Sequence, residues 1–90
     1  MTGQERAALR KEAQKLSPIF QIGKGDIGDN MIAAVDAALE KRELIKLSVL
    51  ETSNFNAHDA ADALAAFTQA EVIQCIGRKF VLYRKKTEKA

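Results

Sequence analysis

Three glycines within six residues surround a lysine in the segment Gly23-Lys24-Gly25-Asp26-Ile27-Gly28. Glycine has no Cβ, so a loop built from it lets a ligand approach the backbone closely. A helical pattern follows the loop, and the unpaired amides and positive dipole end of that helix would point at the ligand. With the Lys24 ammonium at its tip, the loop could hold a phosphodiester, as short glycine loops do in some RNA-binding modules. A purely structural role, in which the glycines allow a tight strand-to-helix connection, explains the same pattern.

Basic side chains are concentrated at the two ends of the chain. Residues 1–24 carry five bases and two acids, residues 25–77 three bases and nine acids, and residues 78–90 six bases and one acid. If the fold brings both ends to one side, they form a basic face for a polyanion. The alternative is two charged termini that are merely solvated. The candidate phosphate contacts outside the loop are Arg6, Arg10, Lys11, Lys15, Arg78, Lys79, Arg84, Lys85 and Lys86.

The sequence offers little for catalysis. His58 is the only histidine, and its place at the start of a helix among alanines predicts a surface or capping residue. Cys75 is the only cysteine, and the apolar run around it predicts an inert, buried thiol. No Ser-His-Asp set, metal-ligand spacing or P-loop can be assembled from the remaining residues. We therefore predict a protein that is not an enzyme, with no metal, no other cofactor and no small-molecule substrate.

Hydropathy predicts no association with a membrane. The longest apolar runs are five residues, 31–35 and 63–67, whereas a membrane-spanning helix needs roughly 20. The first 16 residues are charged throughout and lack the apolar stretch of a secretory signal. These features predict a small soluble protein of the cytoplasm.

The elements that must position these residues can be read from hydrophobic periodicity and breaker residues. A chain of 90 residues with 47% hydrophobic side chains forms one domain. Residues from about 85 onward are charged, and this composition predicts a mobile basic tail. The pattern predicts helices over Gln4–Leu16, about Asp29–Arg42 and about Asn56–Gln69, and strands over Ile19–Ile22, Leu44–Leu50, Val72–Ile76 and Lys79–Arg84.

The order α-β-α-β-α-β-β predicts an α/β fold. Successive strand–helix–strand units require crossover connections and hence some parallel pairing, and the glycine-first pair Gly77-Arg78 predicts a type II′ hairpin between the last two strands. We expect a two-layer sandwich, a four-stranded mixed sheet with helices on it. The four phenylalanines fall at predicted core or near-core positions and there is no tryptophan, so a base-stacking sheet of aromatic residues is not expected.

Three ordered segments carry a family resemblance: Leu16–Gly25, Leu39–Lys46 and Ile76–Arg84. Together they resemble the bacterial YhbY-like proteins, stand-alone members of the CRM (chloroplast RNA splicing and ribosome maturation) domain family. The resemblance implies RNA binding, association of bacterial members with precursors of the large ribosomal subunit, and a fold similar to the C-terminal domain of bacterial initiation factor 3. It also implies a GxxG RNA-binding loop, whose first three positions match Gly23, Lys24 and Gly25. Asp26 stands where the fourth glycine is usual, and it adds a side chain and a negative charge beside the phosphate.

The sequence thus predicts an RNA-binding protein that docks on structured RNA, in particular large-subunit ribosomal RNA precursor, during subunit assembly. An alternative is a protein-interaction module that binds a basic ribosomal or assembly protein through the acidic middle helices. In that case charge reversal at Asp36, Glu40 or Asp62 would impair binding more than reversal at Arg10 or Lys24. Binding to duplex DNA is a third possibility.

Reversing the charge of Lys24 tests the loop directly. We expect Lys24→Glu to weaken RNA binding with little change in the thermal unfolding midpoint, because an exposed loop side chain contributes little to packing. RNA binding and thermal melting of the two proteins measure this. A variant that binds RNA as tightly as the parent would show that the loop is not the phosphate site.

Overall fold

The structure is a computed structural model, and it describes residues 2–23, 27–51 and 56–85. The predicted order of elements is confirmed, and α1 ends three residues earlier than its pattern suggested. The elements are α1 (Gly3–Ala13), β1 (Phe20–Ile22), α2 (Asp29–Arg42), β2 (Leu44–Val49), α3 (Ala57–Thr68), β3 (Glu71–Ile76) and β4 (Lys79–Tyr83).

Local hydrogen bonds determine where the helices begin and end. The Asn56 side chain accepts from the backbone N–H of Asp59 (2.7 Å) at the start of α3, and Thr2 caps α1 in the same way. After Ala13, the chain tightens into a turn in which the N–H of Leu16 donates to the carbonyl of Ala13 (3.0 Å). Pro18 disfavours helical backbone at the residue before it, so α1 cannot resume.

The four strands form one mixed sheet in the order β1-β2-β4-β3. β1 and β2 are parallel, and the other two pairs are antiparallel. The turn between β3 and β4 has φ +60° at Gly77, whereas Arg78 does not have positive φ. This combination is that of the predicted type II′ turn. A bulge at Val72/Gln74 interrupts the pairing of β3, which is an edge strand.

One face of the sheet is packed against α2 and α3. Ile45, Leu47 and Val49 alternate along β2 and are buried there with Phe80 and Leu82 of β4. Val35 and Leu39 of α2 and Leu64 of α3 complete this core. The sheet together with these two helices is the predicted two-layer sandwich.

The opposite face is covered only in part, by α1. Leu9 and Ala13 of α1 pack against Ile73, Val81, Leu44 and Tyr83 in a second, smaller cluster. The remaining residues of this face, toward the β3–β4 turn, include the exposed Ile76 and Lys79 and the half-buried Lys46. We call this remainder the open sheet face, defined by Lys46, Ser48, Gln74, Ile76 and Lys79.

Phe67 does not have the predicted core position. Its side chain lies on the outer side of α3, with 63% of the residue exposed. The helix packs through Ala57, Ala60, Ala61 and Leu64 instead. These small residues bring α3 close to the sheet, and Phe67 is rotated out of that contact.

Arg84 fastens the end of β4 to α2 and α3. Its guanidinium donates to the side chain and carbonyl of Asp36, to Glu40 (3.1 Å) and to the carbonyl of Thr68 (2.8 Å). The side chain is only 18% exposed. Five planar donors in a fixed geometry suit this set of acceptors on two helices. Arg84, predicted to contact phosphate, is therefore engaged within the fold.

Truncation of Arg84 is expected to destabilise the protein. Arg84→Ala should lower the free energy of unfolding by about 2 kcal/mol, because hydrogen bonds to charged groups contribute roughly 1.5–3 kcal/mol. Arg84→Lys should have an intermediate effect, since one ammonium cannot reproduce the bidentate contacts. Urea denaturation measures both changes. Lys85→Ala, at an exposed neighbour, is the matched control, and an Arg84→Ala effect no larger than that of the control would contradict the assignment.

Candidate nucleic-acid interface

Gly23, the first glycine of the glycine-rich segment, and the β3–β4 turn lie at the same end of the sheet. The N–H of Leu50 donates to the carbonyl of Ile22 (2.9 Å), and the N–H of Val49 donates to the carbonyl of Arg78 (2.7 Å). Consecutive residues at the end of β2 therefore connect the end of β1, where Gly23 follows, to the turn that carries Arg78. Lys24, Gly25 and Asp26 lie outside the described residues.

Steric demands of the fold do not explain glycine at positions 23 and 28. Neither residue has left-handed backbone, and a Cβ built on Gly23 would lie 3.7 Å from Cδ1 of Leu50, an ordinary contact. A Cβ on Gly28 would meet nothing within 4 Å. The structural explanation for glycine is accordingly weakened at these two positions.

The N-cap residue of α2 is Gly28, which has no side chain to cap the helix. Among the described residues no side-chain hydrogen bond to the first turn is present. Unpaired amides at this position favour an anion, although the carboxylate of Asp29 in the same turn offsets part of that charge.

Four basic side chains line two adjoining cavities on the α1 side of the sheet. One cavity, of about 210 Å³, includes Lys46 and Lys79; the other, of about 200 Å³, includes Lys15, Arg42 and again Lys46. Lys46 therefore joins the two cavities into one surface. We call the set Lys15, Arg42, Lys46 and Lys79 the basic strip. In the described part of the chain, no acidic residue lines either cavity.

The cations of the basic strip have no acidic partner among the described residues. Within residues 2–23, 27–51 and 56–85, none of its four side chains forms an ion pair. In contrast, Arg6 donates to the carbonyl of Val72 (2.9 Å) and pairs with Glu71 (3.4 Å), and Arg78 pairs with Glu51 (3.1 Å). Unpaired cations on a surface without acids produce the positive potential that attracts a polyanion.

The predicted site residues fall into separate groups. Gly23, Arg78 and Lys79 lie at the turn end of the sheet, whereas Arg84 and Lys85 follow β4 at the other end, about 17 Å away at the usual strand rise. A cavity there is lined by Glu5 and Glu71 as well as by Arg84 and Lys85. The described part of the C-terminal group is therefore divided between the two ends of the sheet, and the expectation that the two basic ends form one face stays a prediction. Lys86 lies outside the described residues.

The basic residues of α1 extend between these two groups. Arg6 is at the end of the helix near Glu71, and Lys15 follows the helix at the basic strip. Arg10 and Lys11 are exposed and form no ion pair with a described residue. Arg10 precedes Gln14, a lining residue of the first cavity, by one helical turn.

Two members of the basic strip, Arg42 and Lys46, were absent from the residues predicted from sequence. Both lie in the acidic middle segment, whose summed charge obscured them. Alternation along β2 could have identified Lys46, because it must face away from the core residues Ile45 and Leu47.

The described residues include no group of three or more His, Cys, Asp or Glu side chains suited to a metal ion. His58 is exposed, with Nδ1 3.3 Å from Oδ2 of Asp62 one turn away. Nor do the helices described here include one of the length and apolarity that a membrane crossing requires.

The sequence matches the CRS1/YhbY (CRM) domain over residues 1–84. It is similar to the probable RNA-binding protein YqeI of Bacillus subtilis, with 44% identity over 88 residues that cover 98% of this chain and 92% of that protein. The probable RNA-binding protein MJ0652 of Methanocaldococcus jannaschii is 31% identical over 93% of this chain and 63% of its own length.

A solved structure also shares the fold. The solution structure of the hypothetical protein SAV1595 from Staphylococcus aureus, described as a candidate RNA-binding protein, superimposes with a TM-score of 0.79. Its sequence is 44% identical, and the comparison covers 100% of this chain and 94% of that one. Family and relatives alike indicate an RNA-binding protein.

The rate at which Cys75 reacts tests the prediction that its thiol is inert. It is half-buried beside the core formed with α2 and α3; burial raises its pKa, and the negative charge of Asp62 raises it further. The thiolate is the nucleophile, so at pH 8 Cys75 should react with iodoacetamide more slowly in the folded protein than in urea. Asp62→Asn should speed the reaction of the folded protein by lowering the thiol pKa. Equal rates with and without urea would contradict this interpretation.

Proposed function

Because the chain belongs to the CRS1/YhbY (CRM) domain family, we propose that it binds structured RNA through the basic strip and the glycine-rich segment that begins at Gly23. The observation that carries this proposal is the continuity of Lys15, Arg42, Lys46 and Lys79 along two cavities that no described acidic residue lines. RNA binding agrees with the names of the relatives. The role of these particular residues is inferred from their charge and position.

Phosphate contacts supply most of the affinity in this proposal. Lysine and arginine side chains displace counterions condensed on the nucleic acid, and this gain does not depend on sequence. The basic strip begins at the end of α1 and α2 and crosses the sheet toward the β3–β4 turn. Lys24, which follows Gly23 in the sequence, would add a further phosphate contact. A rigid sheet holding its cations at fixed spacing favours a folded RNA over a flexible strand.

The RNA we propose is a precursor of large-subunit ribosomal RNA, bound in the cytoplasm during subunit assembly. The support for this finer statement is the resemblance to bacterial YhbY-like proteins at Leu16–Gly25, Leu39–Lys46 and Ile76–Arg84. Binding of this kind requires no cofactor, since the protein only supplies cations and backbone donors.

The acidic middle helices support the alternative, docking of a basic protein, less well. Asp36 and Glu40 are both bonded to Arg84. A basic partner would have to compete with a guanidinium that is mostly buried and bonded to two carbonyl groups as well. The basic strip needs no such exchange before it binds.

The salt dependence of RNA binding tests the basic strip residue by residue. Lys46→Gln and Lys79→Gln should each reduce the magnitude of the slope of log K against log salt by about 0.7–0.9, the value expected for one lost phosphate contact. Lys41→Gln is the matched control, because Lys41 neighbours Arg42 on α2 but is not among the residues lining either cavity. Titration of a labelled RNA hairpin at several salt concentrations provides the slopes.

The control and competitor determine how the result is interpreted. Equal slopes for Lys46→Gln, Lys79→Gln and the parent would contradict the assignment of the strip. Competition with duplex DNA at fixed salt should displace the RNA poorly, and equal competition would favour a DNA-binding protein instead.

A further inference from the structure

The cavity between the end of α1 and the open sheet face combines three kinds of side chain. Gln14 and Gln74 contribute amides, Lys46 and Lys79 contribute ammonium groups, and Ile76 and Val81 contribute apolar surface. We propose that this cavity accepts one unpaired nucleobase of the bound RNA. The inference rests on the proposed function and adds to it a site that contacts a base rather than a phosphate.

The size of the cavity suits a single ring system. Its volume is about 210 Å³, below the roughly 300–1,000 Å³ of pockets that enclose whole drug-sized ligands. A base that leaves the helical stack in a bulge or loop is a flat heterocycle, smaller than a drug-sized ligand. Such unstacked bases are the usual targets of specific RNA recognition, because their edges and faces are free.

Ile76 provides the apolar contact that a base requires. It is 65% exposed, more than any other large hydrophobic residue in the described part of the chain. It precedes the β3–β4 turn, and its register partner on β4 is Lys79. Flipped bases are held between apolar or aromatic side chains, and Ile76 offers such a surface directly beside a cation. Val81, which is buried, also lines the cavity.

The two glutamines provide hydrogen bonds in the plane of the base. Each amide carries two N–H donors and one carbonyl acceptor, which matches the mixed donors and acceptors of a nucleobase edge. Neither side chain hydrogen-bonds to another described residue. Lys46 and Lys79 would hold the phosphates on either side of the nucleotide, so charge and shape favour RNA over an uncharged ligand.

A set of RNA hairpins tests this inference. One hairpin is fully paired. Four others carry a single unpaired nucleotide in the stem, with a different base in each, and a sixth carries an abasic residue at that position. We expect the parent protein to bind the preferred bulged hairpin about fivefold to tenfold more tightly than the abasic one, a modest value for one base contact. Ile76→Ser should remove this difference in affinity and leave the salt slope unchanged. Gln74→Ala should reduce the differences in affinity among the four bases.

Phe67→Ser is the matched control, because Phe67 is similarly exposed, at 63%, but lies on α3, outside the cavity. It should retain the parent's discrimination. If the parent binds all hairpins equally, or if Ile76→Ser still discriminates, the base site is refuted while the phosphate contacts stand. A cavity that receives a side chain of a protein partner would also give no dependence on the base. Failure of the proposed function is distinguishable, since then no hairpin binds even at low salt.

Discussion

Alternation of side chains along β2 and β4 is the constraint on which the rest of the structure depends. Ile45, Leu47 and Val49 must face α2 and α3 to form the core, and this fixes Lys46 and Ser48 on the other face. A shift of one residue in register would bury Lys46 and expose the core, at a cost no small domain can sustain. The same alternation therefore stabilises the fold and presents the central cation of the basic strip.

The basic residues of the protein serve two different purposes, and acidic partners distinguish them. Arg84 stabilises the contact of β4 with two helices through four acceptors, and Arg6 joins α1 to the start of β3. Cations used in this way are already neutralised and contribute little to an external field. Lys46 and Lys79, with no such partner among the described residues, keep their charge for a ligand. Net charge alone, at +2, conveys none of this division.

Much of the fold could be predicted from the sequence because its signals are local. The Asn56 cap, the Gly77-Arg78 turn and the alternation in β2 each involve residues within a few positions of one another. Arg84 and Asp36 are 48 positions apart, and no local pattern indicates that they meet. Charge summed along the chain likewise grouped Arg84 with Lys79, although a strand separates them in space. Phe67 was wrongly predicted to be a core residue. The helix α3 packs through alanines, and a hydrophobic pattern read from sequence gives alanine less weight than an aromatic ring.

Partial coverage of the sheet by α1 connects the fold to the proposed function. A helix long enough to cover the whole face would have buried Ile76 and removed the cavity, but Pro18 keeps the chain from continuing α1 across it. The exposed apolar residue on an edge strand is a liability for aggregation, and the bulge in β3 and the neighbouring Lys79 both limit it. An exposed aliphatic side chain that lines one cavity with two amides and two lysines fits the ligand proposed above, which is flat, partly apolar and attached to phosphate.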